Sequence, residues 1–185
     1  DGPTGLATQD ITGDGAAELF VASFNSNSFF VYNGATGAFL FSSAIGSVSG
    51  PVGIEIGPDR NGDTFGDVFV SASGSNEVLI FNAVNGVALG TMVAANLGGL
   101  SSPQGLRFGP DVNSDGAEDL YVASGATDQV LVFNGGTGGL INTGSIVNSV
   151  FVTAGAGGMD QPTYLEFGPD KMLYVAGGLS DNVNR

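Results

Sequence analysis

The stretch Asp111-Val112-Asn113-Ser114-Asp115-Gly116-Ala117-Glu118-Asp119, followed at once by Leu120-Tyr121-Val122-Ala123-Ser124, decides how the chain is to be read. It splices a loop dense in side-chain oxygens onto a short apolar run. Oxygens at positions one, three, five and nine, with glycine at six where the chain must turn sharply, suit a hard cation such as calcium, which takes roughly six to eight oxygen ligands. The spacing returns at Asp59, Asn61, Asp63 and Asp67 ahead of Val68-Phe69-Val70. It returns again, with a weaker donor set, at Asp10, Thr12, Asp14 and Glu18 ahead of Leu19-Phe20-Val21.

Working outward from these loops, the chain is a repeat. Each unit opens with proline: Pro3-Thr4-Gly5-Leu6, Pro51-Val52-Gly53-Ile54, Pro103-Gln104-Gly105-Leu106 and Pro162-Thr163-Tyr164-Leu165. Three units then pass through Gly-Pro-Asp, at Gly57, Gly109 and Gly168, and all four continue into a second apolar run, the last being Leu173-Tyr174-Val175-Ala176. A third run follows as Phe29-Phe30-Val31-Tyr32-Asn33, Val78-Leu79-Ile80-Phe81-Asn82 and Val130-Leu131-Val132-Phe133-Asn134. After it come the turns Gly34-Ala35-Thr36-Gly37, Ala83-Val84-Asn85-Gly86 and Gly135-Gly136-Thr137-Gly138, and then a shorter fourth run such as Ala38-Phe39-Leu40-Phe41.

The runs are short, rich in Val, Ile, Phe and Tyr, and bounded by Gly, Asn, Asp and Ser, which marks strands and leaves almost no helix. Four strands in about fifty residues match the blade of a propeller. The expected fold is therefore all-β, a β-propeller of four-stranded antiparallel blades, about three and a half of them, in a single repeat domain spanning 1–185. The repeats are expected at about 1–48, 49–100, 101–159 and, incomplete, 160–185. Strands two and three are nearly continuous apolar runs, so both of their faces should be covered by neighbouring blades. The last unit reaches Ser180-Asp181-Asn182-Val183-Asn184-Arg185, where a third strand should begin, so the expectation is a fragment of a longer propeller or one completed by a partner or a second copy.

Composition bounds the function. The 185 residues are 42% hydrophobic and 12% charged, enough for a packed core and unlike a disordered chain. Formal net charge is −14, with Arg60, Arg107, Lys171 and Arg185 as the four basic residues. Such a surface repels phosphate backbones and anionic lipid, which argues against nucleic-acid partners, and no apolar run has the length of a membrane span. Nine of the eighteen acids stand at the ligand positions of the three loops, where like charges a few ångströms apart cost stability without a cation. No signal peptide is evident. Few lysines, abundant Gly, Ser, Thr and Asn, and loops of a kind that fills near millimolar calcium favour a secreted, extracellular or cell-surface setting.

The loop and its place between the first and second strands of a blade-sized repeat resemble the calcium loop of FG-GAP repeats, the propeller repeats of integrin alpha subunits and of many bacterial secreted proteins. The resemblance covers the first three units. It implies ligands from positions one, three, five and nine plus the backbone carbonyl of position seven. These would be Asp111, Asn113, Asp115 and Asp119 with Ala117; Asp59, Asn61, Asp63 and Asp67 with Phe65; and Asp10, Thr12, Asp14 and Glu18 with Ala16. Two to three calcium ions are implied. In the second loop Thr64 replaces the glycine, so a non-glycine residue must take the tight turn. The fourth unit, Gly168-Pro169-Asp170-Lys171-Met172-Leu173, is more similar to NHL-type repeats and should form a tight turn without an ion, Lys171 standing where a metal would.

Other chemistries fare worse. An EF-hand needs Glu at position twelve, where the sequence has Val122 or Val70, and helical flanks. Gly135-Gly136-Thr137-Gly138-Gly139 precedes no helix and has no nearby lysine, so it is a hairpin turn and not a phosphate cradle. Phe29-Phe30 and its counterparts fit inter-blade core, and Arg60 and Arg107 are expected in solvent or paired with the acidic loops. With no His or Cys, Ser-His and Cys-His catalysis are excluded. A glycosidase pair would have to come from Glu55 and Glu166, which nothing in the spacing brings together. The expectation is a non-enzyme: a calcium-binding structural or adhesive protein that self-associates or assembles with a partner. The alternative is a carbohydrate- or protein-recognition module of a larger secreted protein.

Overall fold

The computed structural model describes residues 2–44, 46–180 and 182–185. It is all-β. The first sheet comprises β1 (Pro3–Gln9), β2 (Glu18–Ser23), β3 (Ser28–Tyr32) and β4 (Phe39–Ser42), and the second β5 (Pro51–Ile56), β6 (Val68–Ala72), β7 (Glu77–Phe81) and β8 (Ala88–Val93). The third comprises β9 (Pro103–Gly109), β10 (Asp119–Ser124), β11 (Gln129–Phe133) and β12 (Val150–Val152), and the fourth β13 (Pro162–Phe167), β14 (Leu173–Gly177) and β15 (Val183–Asn184). In each sheet the strands lie side by side in chain order, the up-and-down order of a propeller blade. Among the described residues the helical elements are three short 3-10 turns, at Leu97–Gly99, Gly125–Thr127 and Ala156–Gly158. Asp181, part of the final repeat stretch, lies outside the described residues.

The chain divides into two compact units, Asp1–Met92 and Val93–Arg185. In the first, the facing sheets bury Phe20, Phe29, Val31, Ile54, Val68, Val70 and Phe81 in one cluster. Phe29 meets Phe81 edge-on with ring centroids 5.3 Å apart, so it is inter-blade core as expected. Phe30 instead packs within its own sheet on Phe39. In the second unit Tyr121, Val130, Val132, Met159, Leu165 and Val175 form the corresponding cluster. The middle strands carry the burial: every residue of β6 and β10 is buried, whereas Phe39 and Leu40 of the outer strand β4 are exposed.

One strand falls away from its expected place. In the third sheet the fourth strand does not follow the Gly135–Gly138 turn directly. The chain detours through residues 140–149, burying Ile141 and Ile146, before β12 begins at Val150. Ser149, fully buried, anchors this detour by accepting the Ile141 N–H on its Oγ at 2.9 Å.

Candidate metal centres

The three oxygen-rich loops join β1 to β2, β5 to β6 and β9 to β10. Each turns through left-handed backbone at positions four and six: Gly13 and Gly15, Gly62 and Thr64, Ser114 and Gly116. That curl aims the N–H groups of these two positions at the first aspartate. Asp10 accepts from Gly13 at 2.6 Å and Gly15 at 3.0 Å, Asp59 from Gly62 at 2.6 Å and Thr64 at 2.9 Å, and Asp111 from Ser114 at 2.6 Å and Gly116 at 2.8 Å. These amides hold Asp59 and Asp111 below the usual carboxylate range, led by Gly62 for the former and Gly116 for the latter.

Position nine is the opposite kind of carboxylate. Glu18, Asp67 and Asp119 are fully buried. Each accepts the N–H of position two, from Ile11 at 2.8 Å, Arg60 at 2.7 Å and Val112 at 2.9 Å. Burial pushes Asp67 and Asp119 above the usual range, and the negative charges of Asp63 and Asp59, or of Asp111 and Asp115, push them further. Position three donates to position nine in every loop: the Thr12 hydroxyl to Glu18 at 3.2 Å, and the amides of Asn61 to Asp67 at 2.8 Å and of Asn113 to Asp119 at 3.2 Å. Position five takes the N–H of position seven, Ala16 to Asp14 at 2.9 Å, Phe65 to Asp63 at 3.0 Å and Ala117 to Asp115 at 3.0 Å.

The residue set suits calcium on two observations. Its side-chain donors are oxygens, hard ligands that zinc and copper sites rarely rely on alone. Its ninth carboxylate is buried among like charges, an arrangement that a cation would relieve. Among the described residues, however, no three carboxylates are gathered into a ready-made ion site. The loops' own N–H and amide groups occupy the oxygens instead. The carboxylates at positions one, five and nine thus serve, as the structure stands, as acceptors that close the turn.

Thr64 does take the left-handed turn, at φ 79° beside 89° for Gly15 and 92° for Gly116. The fourth connection is the tight turn expected: the Lys171 N–H returns to the Gly168 carbonyl at 2.8 Å and the Met172 N–H to Asp170 at 3.1 Å. Arg107 corrects an expectation. It pairs with Glu166 at 3.0 Å and stacks on Tyr164 at 5.1 Å, both on the neighbouring first strand. That pairing also commits Glu166, one of the two carboxylates considered for glycoside hydrolysis.

Two features escaped the repeat pattern. The hairpin asparagines Asn33, Asn82 and Asn134 reach back to the loops, as described below. The second unit also holds a cavity of about 400 Å³ walled by Tyr121, Phe151, Met159 and Phe167, with Lys171 and Arg185 in its lining.

No family model and no curated protein matches the sequence. Solved structures do match. A Thermus thermophilus putative oxidoreductase (glucose dehydrogenase) aligns at TM-score 0.68 and 18% identity, over 100% of this chain and 61% of its own. A Bacteroides ovatus auxiliary nutrient binding protein aligns at TM-score 0.64 and 14% identity, over 98% and 47%. The Kuenenia stuttgartiensis hydrazine synthase aligns at TM-score 0.65 and 17% identity, over 94% and 41%. The fold is that of a β-propeller. At such identities the likeness extends to the fold alone, and the chain spans only about half the length of these proteins.

Proposed function

We propose that this chain is a calcium-binding propeller protein of FG-GAP type, extracellular, in which ions at the three loops stabilise the blades and support a structural or adhesive assembly. One observation carries this: the same oxygen scheme, with a fully buried ninth acid, recurs in three loops. Asp59, Asn61, Asp63 and Asp67, with their counterparts in the other two loops, would hold the ions. Calcium would supply there the positive charge that the buried carboxylates lack. The outer strand β4 ends its sheet with Phe39 and Leu40 exposed on opposite faces, an edge that favours association with a second copy or a partner.

The test is a calorimetric calcium titration combined with thermal denaturation and sedimentation, with and without chelator. Two to three ions should bind, and saturation at 100 times Kd should add about 2.7 kcal/mol per site by mass action. Chelation should dissociate any multimer. No binding up to several millimolar calcium would refute the proposal.

A recognition module is the second reading, favoured by the cavity in the second unit. Its apolar walls and two cationic residues suit a small apolar anion better than a sugar. Saturable binding to a monomer in a ligand panel would support it, and binding unaffected by changing Phe151 would count against it.

A further inference from the structure

We infer that Asn82 and Asn134 are positioning residues of the second and third loops, coupling each loop to the hairpin between the third and fourth strands of its blade and ranking these two sites above the first. The inference rests on the calcium reading above.

Both asparagines open a hairpin and are held in it by their own backbone. The Asn82 N–H donates to the Val87 carbonyl at 2.9 Å, and its carbonyl accepts the Gly86 N–H at 2.9 Å. Asn134 does the same with Gly139 at 3.0 Å and Gly138 at 2.7 Å. The side-chain oxygens are also committed to the hairpin. Asn82 Oδ1 accepts the N–H groups of Val84 at 2.8 Å and Asn85 at 3.0 Å, and Asn134 Oδ1 accepts the N–H of Thr137 at 2.8 Å and its hydroxyl at 2.9 Å. With the oxygen so placed, the amide nitrogen has one direction left. Asn82 Nδ2 donates to Asp63 Oδ2 at 2.6 Å, and Asn134 Nδ2 donates to Asp115 Oδ2.

Position five is therefore gripped from both sides, by the loop through the N–H of Phe65 or Ala117 and by the hairpin through the asparagine. A carboxylate already oriented loses less freedom when it takes up an ion, and partners behind metal ligands tune affinity for this reason. The first blade departs from the scheme. Asn33 opens its hairpin in the same way, its Oδ1 accepting from Thr36, but its nitrogen goes to Glu18 of position nine at a long 3.4 Å. Glutamate is one methylene longer than the aspartate of the other loops and meets the amide. Coupling is reciprocal, so an ion in the second or third loop should also steady the hairpin attached to it.

Two measurements test this. Calcium titration of Asn82→Ser/Asn134→Ser should show two sites weakened about 10-fold or more. Serine is too short to reach the loop yet keeps an oxygen for the hairpin N–H groups. Asn33→Ser should change affinity by less than about 3-fold. Asn85→Ala, which loosens the second hairpin by removing the acceptor of the Val87 N–H at 3.0 Å but keeps the backbone amides that hold Asn82, should leave affinity unchanged. In the unsubstituted protein, hydrogen exchange should slow on adding calcium both at loop amides Thr64 and Gly116 and at hairpin amides Val84, Asn85 and Thr137. This second measurement needs no variant to fold. Slowing confined to the loops, wild-type affinity in the double serine variant, or equal loss in Asn85→Ala would each overturn the inference and leave calcium binding standing. A wild-type protein that binds no calcium overturns both.

Discussion

Replacing Thr64 by glycine should stabilise the protein even with calcium removed. Position six of the loop requires φ near +80° to +90°, as at Gly15, Thr64 and Gly116. A β-branched residue held there costs about 1–3 kcal/mol. Glycine relieves that strain but loses about 0.5–1 kcal/mol through its freer unfolded chain. The net gain is about 1 kcal/mol, or about 2–4 °C in Tm for a chain of this size. The Thr64 N–H to Asp59 bond belongs to the backbone and survives the change. The reverse change, Gly116→Thr, isolates the conformational cost, because a Cβ at Gly116 meets nothing within 4 Å. It should lose a similar amount. Thermal and urea denaturation of both variants in chelator would decide. Destabilisation by Thr64→Gly, or a neutral Gly116→Thr, would refute the strain argument.

Gly135→Ala should be far more costly, about 3 kcal/mol in urea denaturation, because its Cβ would lie 1.6 Å from the Glu118 carbonyl oxygen, a backbone atom that cannot step aside. Arg107→Ala should cost less than about 1 kcal/mol, since the Glu166 side chain it pairs with is 54% exposed; a larger loss would mean that stacking on Tyr164 matters more than the ion pair. Asp170 is held below its ordinary value of 3.8 by the Met172 N–H, with help from the Tyr174 hydroxyl and Arg185. A depressed folded pKa stabilises above the unfolded value and is lost as pH falls through the folded one. The Tm difference between wild type and Asp170→Asn should therefore be full at pH 5 and shrink below pH 3.8.

The blades were legible because each of their signals is local. Proline opens every first strand, the apolar runs of β2, β6 and β10 follow the loops directly, and hairpin glycines mark the turns. The position of β12 was not legible, because the turn after Asn134 looks like its counterparts. The detour through Ile141, Ile146 and Ser149 depends on packing partners distant in sequence. The nine-residue spacing picked out the loop residues, and the structure brings each set into one hydrogen-bonded loop. Their tie to the hairpin asparagines spans nineteen positions, which no local window displays. Arg107 likewise found its partner 59 residues away on another first strand, not among the nearer acids of the loop.

The strand pairing carries one more consequence. At the tip of the first hairpin, Ile56 pairs with Val68 and Phe108 with Leu120, each twelve positions apart, while Phe167 pairs with Leu173 only six apart. In the second and third blades the acidic loop is thus a six-residue insert relative to the fourth, one that enters or leaves a hairpin tip without slipping the register of the strands below it. Such an insert behaves as an exchangeable cassette. A lineage, or a designer, could move a blade between long-looped and tight-turned forms by one small indel, leaving the packed body of the blade unaltered.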